Sequence, residues 1–174
     1  ALLQETPWVL EAKDESQRKQ RIALLFDLNT LGGRLDQNLR KLKKMQTSSG
    51  GWSWFDGMPE SRWITQEIVT GLGHLDHLGI RNIRDDNDTW NMLNMAVAYL
   101  DCELVRDYND IKKYYPGTMD ENHIGSINIQ YLYARSYFLS DIPLKTNGNV
   151  KAAFEYFQHQ SEKYWLQNDL YCQG

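Results

Sequence analysis

The densest run of potential metal ligands in the chain is Arg84-Asp85-Asp86-Asn87-Asp88. Octahedral magnesium takes oxygens that converge on one point, and an aspartate pair one helical turn from a third aspartate would supply them. Residue 89 is Thr and the run stands just ahead of a helical pattern, so the spacing predicts a linker that gives an N-cap at Asp88 or Asn87. An EF-hand loop is excluded, because the Gly and the final Glu are missing from their required places. His74 and His77 stand three apart and could share a helix face, but zinc wants a third and fourth ligand. His123 and His159 are tied to the pair by no short spacing, which predicts helix-end histidines beside the negative end of the dipole.

Other chemistry is equally undirected. No GxSxG-type signature supports a Ser/His/Asp or Cys/His set. Asp56, Glu60 and Glu67 could pair as carboxylates for glycoside hydrolysis only at a separation that sequence does not give. Cys102 and Cys172 are too far apart for a CxxC redox or zinc pair and too few for a disulfide scaffold. Pairing between them is open chemically, but Cys102 lies in an apolar helical run and reads as a buried free thiol. The residues therefore predict no catalytic site, no metal and no cofactor.

The 174 residues, 41% hydrophobic and 24% charged, suit one domain with a real core. A net charge of -4 and the lack of a long Lys/Arg cluster argue against nucleic acid as partner. No apolar run approaches the roughly 20 residues that cross a bilayer, so no membrane contact is expected. The start without Met and the stop at Leu170-Tyr171-Cys172-Gln173-Gly174 read as a fragment of a longer chain.

Apolar residues recur at helical spacing nearly throughout, which predicts an all-α protein. A first helix is expected over 15–29, with Asp14 or Ser16 near its start and Ile22, Leu24, Leu25 and Leu28 on its apolar face, ended by Gly32-Gly33. A second, 34–46, carries the stripe Leu35, Leu39, Leu42, Met45, with Arg40, Lys41, Lys43 and Lys44 on the solvent side. Ser61 caps a third that runs to Leu78 and stops at Gly79, with Ile64, Ile68, Leu72 and Leu75 on one side. Gly71 and Gly73 inside it each cost about 1 kcal/mol relative to Ala, so a neighbour should press on that backbone.

A fourth helix, from Asp88 or Thr89 to Tyr108, is apolar on two faces, one with Leu93, Ala96, Val97, Leu100 and Leu104, the other with Met92, Met95, Tyr99 and Cys102. Pro116-Gly117 follows. A fifth is expected over 124–139, and a sixth, 150–168, after Pro143 and Asn147-Gly148, with one stripe through Val150, Phe154, Phe157 and Trp165. Wide and narrow apolar faces vary along the chain as they would in antiparallel hairpins set side by side, some helices inside a ring and others outside.

Between the second and third helices lies MQTSSGGWSWFDG, residues 45–57, with three large rings in a loop of small and polar residues. In one reading it is structural: the Gln46 amide bonds loop backbone, Gly50-Gly51 make the turn, and Trp52, Trp54 or Phe55 folds under the hairpin, each burying about 150–250 Å². In the other, an exposed Trp54 with Arg62 and Trp63 forms a patch for another protein or domain. The two hold together if different rings do each.

Glu5-Thr6-Pro7-Trp8, Leu24-Leu25-Phe26-Asp27, Gly50-Gly51-Trp52 with Trp54-Phe55, and Ser61-Arg62 with Ile64-Thr65-Gln66 together resemble the α/α-toroid thioester-domain region of bacterial alpha-2-macroglobulins. The likeness is close over residues 2–80 and less distinctive beyond. The Gly-Gly-Trp element alone is less specific, since toroids of terpene cyclases and prenyltransferases carry similar Gln and Gly-Gly-aromatic loops.

The resemblance implies part of a large periplasmic or cell-envelope protein that traps proteases, its partners being target proteases and neighbouring domains of the parent chain. In many members a Cys-Gly-Glu-Gln-like motif forms an internal thioester between a Cys and a Gln three residues later. Cys102 is followed three on by Val105 and Cys172 lies two residues from the end, so this chain does not carry the motif. What the resemblance leaves is scaffold, supporting or docking a thioester region elsewhere in the parent, or part of a member that has no thioester. The rival expectations are a toroidal enzyme acting on isoprenoid or carbohydrate substrates and a plain protein-interaction module.

Overall fold

The computed structural model describes residues 15–146 and 148–167. Expectations that involve Glu5-Thr6-Pro7-Trp8, Asp14, Asn147, Asn168 or Cys172, or the side chains of Ser16, Leu25, Phe26 and Leu28, lie outside the described residues. Among those described the protein is all-α: α1 (Glu15–Met45), α2 (Arg62–His77), α3 (Asn87–Tyr114), α4 (Ser126–Ser136) and α5 (Val150–Lys163), with a 3₁₀ turn at Trp165–Gln167. Two compact units divide the chain, Ala1–Lys44 and Met45–Gly174.

The first unit is dominated by α1, a single helix of 31 residues where two were expected. Gly32-Gly33 does not end it. Each glycine costs about 1 kcal/mol in a helix interior but forms no stop by itself, and the Leu, Arg, Lys and Gln residues on either side keep the backbone helical. Arg40, Lys41, Lys43 and Lys44 are exposed, as a solvent face predicts, and Lys43 and Lys44 complement the C-terminal dipole. Of the expected apolar positions Leu39 is buried, whereas Leu24 and Met45 are exposed.

In the second unit α2 begins where its sequence says: the Ser61 hydroxyl accepts from the Ile64 N–H at 3.3 Å. It ends in a Schellman motif, with Gly79 at φ 66°, Ile80 N–H donating to the Leu75 carbonyl at 3.0 Å and Gly79 N–H to that of Asp76 at 3.0 Å. Its buried side is Thr65, Gln66, Val69, Leu72 and Gly73, so Ile64, Ile68 and Leu75 only flank it.

The cap of α3 is Asp86, not Asn87 or Asp88, because its carboxylate reaches the N–H groups of Asp88 and Thr89 and the Thr89 hydroxyl together. The helix continues to Tyr114, beyond the expected Tyr108. Pro116 then excludes helical backbone at the residue before it. Leu93, Ala96, Val97, Leu100 and Leu104 are all buried. The second expected face is only partly interior: Met92 is buried, but Met95 and Cys102 are exposed. Cys102 follows Leu93 by nine residues, which at about 100° each puts it on the opposite side of the helix, so the expected buried thiol faces water.

Both remaining helices are shorter than the pattern suggested, 137–142 being turns and 165–167 a 3₁₀ turn in which Trp165 is exposed. Helices pack on their successors and also on the next but one: α2 on α4 and α3 on α5, as well as α2 on α3, α3 on α4 and α4 on α5. Alternate helices of the second unit are thus in contact as well as consecutive ones.

Buried polar groups fasten these helices. Asp101 of α3 pairs with Arg135 of α4 (Nε to Oδ1, 3.1 Å) and accepts from the Tyr131 hydroxyl at 2.6 Å, all three residues being buried. Burial and the adjacent Asp101 carboxylate push the Tyr131 phenol far above its ordinary range. Gln66 of α2 donates to the Ile127 carbonyl at 2.9 Å. Gln160 of α5 accepts from His123 N–H at 3.0 Å and donates to the Met119 carbonyl at 3.2 Å, holding the loop after α3.

Candidate functional site

Residues 46–61 are fixed by backbone pairing before any ring is considered. The Gln46 amide donates to the carbonyls of Gly50 at 2.9 Å and Met92 at 2.8 Å, tying the loop to itself and to α3. Gly50 adopts φ 98° and lies so near Met95 that an added Cβ would stand 2.2 Å from its carbonyl oxygen, which only glycine permits. Gly51 is less confined, a Cβ there standing 3.0 Å from the Glu60 side chain and 3.2 Å from the Tyr99 ring. Ser61 N–H donates to the Trp52 carbonyl at 2.7 Å and Trp52 N–H to the Thr65 hydroxyl at 3.0 Å, so the two ends of the loop close on each other.

The three rings divide. Trp52 is buried, with 1% of its surface exposed, while Trp54 and Phe55 are exposed at 56% and 71%. Trp54 stacks on Trp63 of α2, ring centroids 5.4 Å apart and planes 4° from parallel. Arg62, expected beside them, is mostly buried and paired with Asp107 of α3, which Asn128 of α4 also contacts at 2.8 Å. The exposed patch is therefore Trp54, Phe55, Met58 and Trp63.

Two carboxylates, Glu60 and Glu67, stand on either side of Trp63 in the chain. Glu60 accepts from the Ser49 hydroxyl at 2.8 Å, and backbone and Ser49 hydrogen bonds hold its pKa below the usual range. Glu67, one turn after Trp63, is exposed and takes a hydrogen bond from Gln130 of α4. Farther along the same helix face His74 Nε2 lies 3.0 Å from the Tyr133 hydroxyl, which lies 2.6 Å from that of Tyr137. Burial, with the Tyr133 hydrogen bond, pushes Tyr137 up to about 12. Sequence reading missed Glu67, Gly71 and His74 as one surface with Trp63, although their helical spacing was visible.

The two helix glycines differ. A Cβ on Gly73 would meet the Tyr137 ring at 2.6 Å, the close neighbour that sequence anticipated, whereas a Cβ on Gly71 would meet nothing within 4 Å.

The acidic run before α3 is occupied by internal pairing: Asp86 with Arg81, and Arg84 with both Asp76 and Asp141. Among the described residues no group of three or more His, Cys, Asp and Glu is placed to hold a metal ion, and no helix is long and apolar enough to cross a membrane. An open groove of about 600 Å³ is lined by Cys102, Arg106 and Asp110 of α3 with Lys145 and Val150. Compared with protein-family models, with curated proteins and with solved structures, the chain matches none of them.

Proposed function

We propose that this chain is a non-catalytic scaffold portion of a protease-trapping inhibitor of the alpha-2-macroglobulin kind, a segment of its α/α toroid that supports or docks a thioester region outside the chain. The observation that carries the reading is the division of labour in the 46–61 loop, where Trp52 is locked under the helices and Trp54 is held out on Trp63. A rigid body with rings fixed at its rim suits a part whose work is docking while neighbouring domains move. The contact between alternate helices supports the toroid, since a ring of hairpins brings alternate helices together in an inner and an outer layer.

In this reading the parent protein is a cell-envelope or periplasmic molecule, and cleavage of a bait segment elsewhere lets it close on the attacking protease. The test is to treat the full-length parent with an endopeptidase and follow hydrolysis of a large protein and of a small peptide. A trap loses the first activity and keeps the second, with a change in the parent's hydrodynamic size. Loss of both, or of neither, contradicts the proposal. Diphosphate release or glycan hydrolysis that disappears on changing Asp56 or Asp85 would favour a toroidal enzyme instead.

A further inference from the structure

The outer face of α2 carries Trp63, Glu67, Gly71 and His74, which at about 100° per residue fall within a quarter turn of one another. All four are exposed, and Trp54 widens the strip at its Trp63 end. Gly71 is the unusual member. It sits in the middle of a 16-residue helix, where it costs about 1 kcal/mol against Ala, and nothing in the second unit comes within 4 Å of where its Cβ would be. Gly73, two residues on, explains itself through Tyr137. The gap at Gly71 is left unfilled by the unit that contains it.

Charge narrows what could fill it. Between residues 45 and 75 the acidic side chains are Asp56, Glu60 and Glu67, the one Lys or Arg, Arg62, is mostly buried against Asp107, and His74 at the far end of the strip is hydrogen-bonded to the Tyr133 hydroxyl. A strip with flat indoles at one end, a carboxylate one turn away and a bare helix backbone beyond it is complementary to a cation on an extended chain. Guanidinium stacks flat on an indole and pairs bidentately with a carboxylate, which an ammonium does less well.

We infer that the Trp54–Trp63–Glu67–Gly71 strip docks a basic protein segment, an arginine stacking on the indoles and pairing with Glu67 while the segment's backbone passes over Gly71. This rests on the reading of the aromatic loop as a docking surface and adds the chemistry of its partner. From Trp63 to His74 the strip is about 16 Å long, the span of about five extended residues.

The test uses the 174-residue chain and the blocked pentapeptide Gly-Arg-Gly-Arg-Gly, with a citrulline version as the uncharged isostere, read by the indole N–H resonances. The arginine peptide should shift the Trp54 and Trp63 signals, bind at least about fivefold more tightly than the citrulline peptide, and weaken as salt rises. Trp63→Ala and Glu67→Gln should each weaken it several-fold. Gly71→Gln should weaken it too while the melting temperature stays level or rises, which separates docking from folding. Equal binding of both peptides, binding indifferent to all three substitutions, or no indole shift at millimolar peptide would overturn the inference. A parent protein that still traps proteases under any of those results would leave the scaffold proposal standing and remove only this partner.

Discussion

Tyr137 lies so close over Gly73 that a Cβ on that glycine would sit 2.6 Å from the ring's Cγ. Gly71, two residues earlier, has open space instead. The same substitution should therefore act in opposite directions at the two sites. Gly73→Ala should destabilise by about 1–3 kcal/mol through overpacking, and Gly71→Ala should stabilise by roughly 0.5–1 kcal/mol through helix propensity. Urea melts of the two variants check this, and a common sign for both would contradict it.

The turn at Gly50 should tolerate no side chain. Its φ of 98° and the 2.2 Å approach of a built Cβ to the Met95 carbonyl make Gly50→Ala a backbone-shifting change, expected to cost at least about 3 kcal/mol. Gln46→Leu removes the donor to two carbonyls and should cost about 1–3 kcal/mol. Chemical denaturation measures both. Near-neutral results would mean the loop is not braced in this way.

The ion pair between Asp101 and Arg135 is buried on both sides, with side chains 6% and 1% exposed. Asp101→Asn leaves a guanidinium without its counter-charge and should cost about 3–5 kcal/mol. Asp101→Leu with Arg135→Met should cost less than either single change, since the desolvated charges leave together. A double-mutant cycle by thermal melting reads the coupling.

Acid should loosen the linker between α2 and α3. Hydrogen bonds from Arg84 hold the Asp141 carboxyl below its ordinary value. At Asp86 burial pushes upward, but Arg81 and Thr89 outweigh it and the net shift is downward. A carboxyl whose folded pKa is lowered contributes fully above its unfolded value of about 3.9 and loses that contribution as pH falls through the folded value. Asp141→Asn and Asp86→Asn should melt below wild type at neutral pH and converge with it as pH falls below the lowered folded value. Melting temperature against pH is the readout.

Ser61 and Gly79 bounded α2 from sequence because their roles are local, a side-chain cap and a left-handed C′ residue. Gly32-Gly33 misled because a glycine pair only weakens a helix, and nothing nearby offered the chain a competing turn. The cap of α3 fell two residues ahead of Asp88 since Asp86 alone could reach Thr89 by both backbone and side chain. In the aromatic loop, sequence identified the residues but not which ring is buried. Trp52 is selected by its bonds to Ser61 and Thr65, a pairing across the loop that no local pattern encodes. Arg62 left the expected patch because Asp107, on another helix, offered a half-buried counter-charge.

The most direct test of the account is the paired change Trp54→Ala with Trp63→Ala, made both in this chain and in the full-length parent. The exposed stack predicts a chain whose melting temperature stays within about 4 °C of wild type, in a parent that no longer closes on an added protease. A chain that melts far lower, or a parent that traps protease as before, would contradict the claim that these rings dock a neighbour.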